Sequence, residues 1–320
     1  MNRNYPNSVT FVAGCAVEAD YIYVASYGDK FDPQEYAFSR MFAYVGRLDG
    51  NKWYHHDIES NIVSVCVKKP AGTVGRRLCA LSKEGEFEIF SNGDGSIISE
   101  KIPEAGLRLG SRGYLCAIRE IGNAIFACGA NDQVYRRDDG VWTLLTSSPL
   151  QIRTTFGLDF GILSSIDGSS ETDVYTCGLS GKLYHFDGHA WKQLPLPTDE
   201  HLNCVRVISK DEVWICGNNG TLLKGSARTG FQNMSSIDDN FIFWSLAKFG
   251  DSVYLATSNQ GLFYFDGARI QRVVTGFKSE LWTYQVDAVH NMLWSFGPKE
   301  IACFDGITWK LIDHPDNPPT

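Results

Sequence analysis

The sequence predicts an all-β fold, a seven-bladed β-propeller with four-stranded antiparallel blades. Three observations favour this fold: a β-rich motif recurs seven times, most copies contain an Asp-Gly turn, and no helical hydrophobic period of comparable length competes with this pattern. A repeat architecture also explains how 320 residues can form one domain, because each copy supplies its own share of the core.

The first recurring segment is a short run of β-branched, aromatic and small residues, a composition typical of β-strands. Each run ends in a small residue that is followed by a turn. The seven runs end at Ser26, Ser82, Gly129, Gly178, Gly217, Thr257 and Gly297.

The second recurring segment is an Asp-Gly turn, which indicates a hairpin because Gly readily adopts the positive φ that the turn requires. Four copies add a Trp that we expect to fill the space between neighbouring blades: Asp49-Gly50 with Trp53, Asp139-Gly140 with Trp142, Asp187-Gly188 with Trp191, and Asp305-Gly306 with Trp309. The other copies are Asp94-Gly95, Asp266-Gly267 and the divergent Thr229-Gly230-Phe231.

These segments predict four short strands in each unit. In the fifth unit the strands are expected at Leu202–Ile208, Glu212–Gly217, Thr221–Lys224 and Phe231–Met234. The predicted blades of the single domain 1–320 are 9–58, 62–102, 112–146, 156–194, 202–235, 242–274 and 281–313. Blade 1 would begin with the innermost strand and blade 7 would end with the outermost one. Ring closure is therefore expected to depend on packing between blades and not on a shared blade.

The Asp-Gly-x-x-Trp hairpins resemble the Asp-box repeats of sialidase-like and photosystem-assembly-factor-like propellers, over residues 9–313. Those families usually carry Ser or Thr two residues before the Asp and a residue between Asp and Gly, and both features are missing in this chain. The resemblance implies the fold and not an activity, because one architecture hosts many functions.

The charge balance favours a protein partner over a nucleic acid. The chain has 29 basic and 37 acidic residues, a net charge of −8, whereas phosphate binding depends on clustered Lys and Arg. The basic cluster Lys68, Lys69, Arg76 and Arg77 is too isolated to change this interpretation. No apolar run is long enough to span a membrane. We expect a monomer that binds a basic protein, such as a toxin or an enzyme.

The cysteines and the N-terminal segment predict a cytoplasmic protein. Val12-Ala13-Gly14-Cys15 resembles a lipoprotein cleavage site, but the apolar segment before it is too short for a secretion signal. The nine cysteines include no CxxC pair, and Cys128, Cys177 and Cys216 occupy equivalent positions in three repeats. This pattern is typical of buried reduced thiols and predicts neither disulfides nor a metal cluster.

The motifs of common enzymes are missing, so no catalytic residue, metal or cofactor is predicted. His185 and His189 flank a hairpin turn and are interpreted as exposed turn residues. A sialidase needs three arginines that converge on a carboxylate, an acid, and a Tyr nucleophile with a Glu partner. The available residues do not follow that arrangement: Arg112, Arg119, Arg153, Arg206, Tyr284 and Asp287.

The loops indicate the function. In a propeller, the loops between second and third strands and those between blades lie on one face. Carboxylates next to aromatic residues on such loops are typical of protein recognition, although a solvated acidic surface is the competing interpretation. The candidate partner-binding residues are Asp32, Glu35, Tyr36, Phe38, Arg153, Asp199, Glu200, Asp238 and Asp239.

The sequence therefore favours a non-enzymatic protein-binding propeller. The most specific hypothesis is an immunity protein that binds and neutralises a toxin. Two alternatives remain: a glycan-binding or glycoside-hydrolase propeller that uses the central channel, and an assembly chaperone.

Overall fold

The computed structural model describes residues 8–70, 72, 74–91, 93–146, 161–235 and 240–317, and the backbone of two short strands at 153–154 and 157–158. Seven four-stranded antiparallel sheets follow one another in chain order. The first strand of each sheet contacts the first strand of the next, and the first strand of sheet seven contacts that of sheet one. The sheets thus form a closed ring around a central channel, which confirms the predicted seven-bladed propeller.

Within each blade the strands follow chain order from the inner edge to the outer edge. Blade 1 contains β1 (Val9–Glu18), β2 (Tyr21–Gly28), β3 (Ser39–Val45) and β4 (Trp53–Ile58). Blade 2 contains β5 (Ile62–Lys68), β6 (Arg77–Ser82), β7 (Glu86–Ser91) and β8 (Ile97–Lys101). Blade 3 contains β9 (Leu115–Ile121), β10 (Ala124–Gly129), β11 (Val134–Asp138) and β12 (Val141–Leu144), and is followed by the short pair β13 (Arg153–Thr154) and β14 (Gly157–Leu158).

Blade 4 contains β15 (Leu163–Ser170), β16 (Asp173–Gly178), β17 (Leu183–Phe186) and β18 (Trp191–Gln193), with a single 3₁₀ turn at Leu179–Gly181. Blade 5 contains β19 (Leu202–Ser209), β20 (Glu212–Gly217), β21 (Leu222–Ser226) and β22 (Gly230–Asn233). Blade 6 contains β23 (Ser245–Phe249), β24 (Ser252–Ala256), β25 (Leu262–Phe265) and β26 (Ile270–Arg272). Blade 7 contains β27 (Gln285–Val289), β28 (Met292–Phe296), β29 (Ile301–Phe304) and β30 (Trp309–Leu311).

The described residues form seven hydrophobic clusters, and each cluster lies between two neighbouring blades. The Trp that follows an Asp-Gly turn packs into the cluster shared with the preceding blade, as the sequence predicts. For example, the Trp142 ring of blade 3 lies 5.1 Å from the Phe87 ring of blade 2. A Trp thus covers the outer end of the space between blades, where the radial sheets diverge.

The Asp-Gly turns contain the positive φ that the sequence predicts, with φ of 94° at Gly188 and 97° at Gly306. The Asp has its own role in the turn. Asp187 Oδ1 accepts hydrogen bonds from the backbone N–H groups of His189 and Ala190, both at 2.9 Å. The pair therefore recurs because Asp satisfies the turn's donors and Gly supplies its backbone conformation.

The small residue at the end of the second strand has a steric cause. A Cβ on Gly178 would lie 1.7 Å from the carbonyl oxygen of Ile162, and a Cβ on Gly297 would lie 1.7 Å from that of Trp282. In each case the chain entering the blade passes directly over this position. Blades 1, 2 and 6 have a hydroxyl residue at this position instead, and Thr257, for example, donates to the Gly261 carbonyl at 2.6 Å.

Polar side chains of the inner strands connect several neighbouring blades around the channel. Ser165 Oγ accepts the Val205 N–H at 3.2 Å, and Asp167 Oδ2 accepts the Val207 N–H at 2.8 Å. At the closure, Gln285 Oε1 accepts the Gly14 N–H at 3.0 Å. These bonds satisfy the free backbone edge of inner strands that have no further strand to pair with.

The ring closes without a shared blade, because β1 to β4 form blade 1 and β27 to β30 form blade 7. The residues after β30, which we name the C-terminal tail (312–317), add a second contact with blade 1. In this tail, Asn317 Nδ2 donates to the Val9 carbonyl at 2.9 Å, and the Asp313 carbonyl accepts the Trp53 indole N–H at 2.8 Å. The His314 ring lies 4.4 Å from the Trp53 ring and is 3% exposed. Packing between blades is therefore supplemented by a tail that the sequence did not indicate.

All nine cysteines are free, and eight are buried. We expect only the three that line the channel cavity, Cys15, Cys116 and Cys204, to react slowly with a thiol reagent in the folded protein. Burial raises the pKa of Cys116 to about 12, whereas the hydrogen bond with Cys216 lowers the pKa of Cys204. Mass spectrometry of alkylated protein, native and denatured, measures the number of accessible thiols.

Two cysteine pairs define the outcome that would contradict this expectation. Cys66 lies opposite Cys79 on neighbouring strands, and Cys204 lies opposite Cys216. Freshly purified protein whose intact mass shows a disulfide would contradict reduced thiols, as would alkylation of more than three cysteines in the native state.

Candidate functional site

The candidate site is the face of the ring that contains the loops between second and third strands and the connections between blades. We name it the upper face. The turns between first and second strands, and between third and fourth strands, form the lower face, because successive strands are antiparallel. The upper face contains two segments that hold predicted residues: 29–38 above blade 1, and 195–201 between blades 4 and 5.

The loop 29–38 is held in place at several points. Asp32 Oδ1 accepts the Gln34 N–H at 2.8 Å, and the Asp32 carbonyl accepts the Tyr36 N–H at 2.9 Å. Asn61, in the connection to blade 2, donates to the Pro33 carbonyl at 2.6 Å and accepts the Phe38 N–H at 3.2 Å. This loop is thus an ordered projection.

The base of this loop is bound to blade 7. Asp29 accepts hydrogen bonds from Ser8 and from Thr10, the latter at 2.7 Å, and it forms an ion pair with Lys299. Burial alone would raise the pKa of Asp29, but the bonds from Lys299, Ser8 and Thr10 outweigh burial and lower it. Asp29 therefore belongs to the ring closure, whereas the residues beyond it face solvent.

The predicted residues of this loop differ in exposure. Asp32, Glu35 and Tyr36 are exposed, and the Tyr36 side chain is 57% exposed. Phe38 is half-buried, so it supports the loop more than it can contact a partner. The Phe31 and Tyr36 rings meet edge to face at 5.8 Å, which gives Tyr36 a defined orientation.

The two carboxylates of segment 195–201 have different environments. Glu200 Oε1 accepts a hydrogen bond from Asn219 at 2.6 Å, and the Glu200 carbonyl accepts the Gly181 N–H at 2.9 Å. Glu200 therefore connects blades 4 and 5, whereas Asp199 is exposed. Among the described residues, none forms an ion pair with Asp32, Glu35 or Asp199.

The remaining predicted residues are only partly located. Arg153 lies in the short strand β13, where only the backbone is described, and Asp238 and Asp239 lie outside the described residues. The structure does not bring the predicted residues into one cluster. The loop above blade 1 and the connection between blades 4 and 5 lie on opposite sides of the ring, with the mouth of the channel between them.

Sequence reasoning missed several large apolar side chains on the upper face. Trp244 is 47% exposed and Trp282 is 46% exposed, and both lie just before an inner strand. Leu107, Leu109 and Val274 are also exposed in connections between blades. The sequence signal for Trp244 and Trp282 was their position outside the Asp-Gly-x-x-Trp motif, where a Trp has no predicted place between blades. These residues add apolar contact area to a face whose predicted residues are mainly acidic.

The residues considered for catalysis lie in separate parts of the fold. Arg112 forms an ion pair with Glu104 at 2.6 Å and does not line the channel cavity, whereas Arg119, Arg206 and Tyr284 do line it. His185 is bonded to Asp173 at 2.8 Å, and the described residues include no group of three or more potential metal ligands. The described part of the chain also has no helix with the length and apolar character of a membrane span.

One characterised relative covers nearly the whole chain, whereas no protein-family model matches it. The immune protein Tsi7 of Pseudomonas aeruginosa is 26% identical over 312 residues, which cover 94% of this chain and 96% of Tsi7.

Solved structures resemble the chain in fold alone. The WD40 propeller domain of Doa1 has a TM-score of 0.65 at 10% identity, covering 92% of both chains. Sqt1 of Saccharomyces cerevisiae has a TM-score of 0.63 at 10% identity, covering 95% of this chain and 85% of Sqt1. YCF48 bound to a D1 peptide has a TM-score of 0.61 at 15% identity, covering 98% of this chain and 97% of YCF48. The resemblance to photosystem-assembly-factor-like propellers is thus confirmed for the fold.

Proposed function

We propose that this protein is a non-enzymatic, cytoplasmic immunity protein that binds a basic toxin through its upper face and neutralises it. The similarity to the immune protein Tsi7 over nearly the full length of both chains is the observation that supports this function most directly. The upper face adds physical support, because it combines exposed carboxylates with exposed aromatic side chains on ordered loops.

The geometry suggests how such a partner would be held. A partner that contacts both Asp32 and Asp199 must cover the mouth of the channel and meet Trp244 beside it. Its central contact would then be aromatic and its peripheral contacts acidic. This is the usual distribution in a protein interface, where buried aromatic residues supply affinity and peripheral charges guide association.

The first test asks whether the protein protects cells. The toxin candidate is the product of the gene next to the one that encodes this chain. Co-expression should restore the growth of cells that produce it, and the two purified proteins should form a stable complex. A neighbouring product that kills cells equally with and without this protein would contradict the proposal for that pair.

A second test locates the interface. Replacing Asp32 and Asp199 with Lys is expected to slow association about tenfold or more at low salt and less at high salt, because surface charges act mainly on the on-rate. Tyr36→Ala is expected to speed dissociation, since an aromatic anchor commonly contributes about 2 kcal/mol. Surface plasmon resonance at two salt concentrations measures both rates.

A matched variant controls for overall charge. Asp49 and Asp251 are exposed on the lower face, so replacing both with Lys changes the net charge equally. This control should retain more of the wild-type on-rate than the upper-face variant does. Equal slowing by both pairs would show a general charge effect and would remove the upper face as the site.

A further inference from the structure

The upper half of the central channel contains a cavity of about 240 Å³. Among the described residues that line it, the only charged side chains are Arg119 and Arg206. The chain as a whole has a net charge of −8, so two guanidinium groups give this cavity a basic lining within an acidic protein, although Arg119 is paired with Asp167. Such a contrast favours anions at the cavity over the rest of the surface.

The two arginines occupy equivalent positions in blades 3 and 5. Arg119 lies opposite Phe126 in its blade, and Arg206 lies opposite Trp214 at the same register in blade 5. Asp167 of blade 4 lies between them in this layer, yet neither Asp167 nor the equivalent Asp287 of blade 7 lines the cavity.

The neighbouring carboxylates are already engaged by the backbone. Asp167 Oδ2 accepts the Val207 N–H at 2.8 Å, and Asp167 Oδ1 lies 3.4 Å from Arg119 Nε. Asp287 accepts the N–H groups of Ala16 and Ala288, both at 3.0 Å. Among the described residues, Arg119 therefore has an ion-pair partner in Asp167, whereas no ion pair is formed by Arg206.

Donor groups on the residues that line the cavity are less occupied. Arg206 donates from Nη1 to the Val205 carbonyl at 3.0 Å, whereas its buried Nε has no hydrogen-bond partner among the described residues. A guanidinium has five N–H donors, so both arginines retain donors for a ligand. The Tyr284 hydroxyl is also buried without a partner in the described part of the chain. Burial raises the pKa of Tyr284, so its phenol stays protonated and can donate.

We propose that this cavity binds an oxyanion, a carboxylate or phosphate group, between Arg119 and Arg206, with the Tyr284 hydroxyl as a further donor. The group can belong to a small diffusible molecule or to an acidic side chain that a protein partner inserts through the channel mouth. A carboxylate is planar and a phosphate is tetrahedral, and guanidinium groups bind the oxygens of both well. Trp244 at the mouth offers a flat apolar surface to the remainder of the ligand.

The test uses three probes at fixed ionic strength: inorganic phosphate, succinate, and the blocked peptide acetyl-Gly-Glu-Gly-amide. Isothermal titration calorimetry of the full chain measures each Kd. We expect at least one probe to bind wild type, and Arg206→Gln to weaken that probe about tenfold or more, as expected for lost charge-assisted hydrogen bonds. Binding of phosphate or succinate indicates a diffusible ligand, whereas binding of the peptide alone indicates a partner's side chain.

Two further variants keep the test independent of folding. Tyr284→Phe removes only a hydroxyl that bonds to no described residue, so it should weaken binding several-fold without lowering the Tm. Arg228 is an exposed guanidinium on the lower face, and Arg228→Gln should bind as wild type does. The proposal is overturned if no probe binds wild type, or if folded Arg206→Gln and Tyr284→Phe bind with wild-type affinity. The immunity proposal does not depend on this result.

Discussion

Replacing Gly178 or Gly297 with alanine is expected to destabilise the propeller by about 3 kcal/mol or more, the upper part of the range for overpacking. The added Cβ would lie 1.7 Å from a backbone carbonyl oxygen in each case. The Ile162 oxygen is itself fixed, because it accepts the Leu179 N–H at 3.0 Å. The chain that enters the blade would have to shift, and with it the first residues of the inner strand.

Thermal unfolding followed by circular dichroism measures this effect, and a decrease in Tm of about 5 °C or more is expected for each variant. Gly75→Ala is the control, since nothing lies within 4 Å of a Cβ at that exposed position. The steric explanation would be wrong if Gly178→Ala melted at the wild-type temperature.

The second large effect expected is an acid-sensitive ring closure. The His314 ring is 3% exposed among the rings of Phe11, Phe42 and Trp53, and burial lowers its pKa from 6.5 to about 4. The folded state therefore takes up a proton at His314 less readily than the unfolded state. The contribution of neutral His314 to the free energy of unfolding is fully present above about pH 6.5. It is lost as the pH falls towards 4, by about 3 kcal/mol in total.

Denaturant unfolding between pH 7.5 and 4 measures this loss. His314→Phe keeps the ring volume and cannot be protonated, so its free energy of unfolding should depend less on pH than that of wild type. Other groups titrate nearby: burial raises the pKa of Asp316, near Arg40 and His55, and Asp316 acts in the opposite sense. The difference between wild type and variant isolates His314.

Exposed His189 gives a matched control, because His189→Asn should leave the pH profile unchanged. Parallel pH profiles for wild type and His314→Phe would show that the tail histidine does not limit acid stability.

The repeats were sufficient to predict the fold because each blade is formed by consecutive strands. The strands expected in the fifth unit agree with the observed ones within two residues at each end. Local chemistry determines the turn and the packing between blades: Gly188 adopts the positive φ of the turn, and Trp142 fills the space beside Phe87. Both requirements are visible in short stretches of sequence.

The site was less predictable because it depends on register between blades. Nothing near Arg119 indicates that it shares a cavity with Arg206, two blades away. Likewise, Asn61 resembles an ordinary loop residue, although it fixes both Pro33 and Phe38 in the loop above blade 1. Asp199 and Glu200 are adjacent acidic residues in the sequence, yet only Glu200 is bonded between blades.

The way the ring closes has a consequence for folding kinetics. Contacts within a blade join residues that are near in sequence, whereas the bonds that close the ring join residues 260 to 309 positions apart. Contacts between distant residues form slowly because closing a long loop costs chain entropy. During synthesis, blades 1 to 6 can therefore form while the side of blade 1 that packs against blade 7 is still uncovered. That side includes Phe11, Phe42 and Trp53, so the growing chain presents a hydrophobic surface until its last blade and tail are in place.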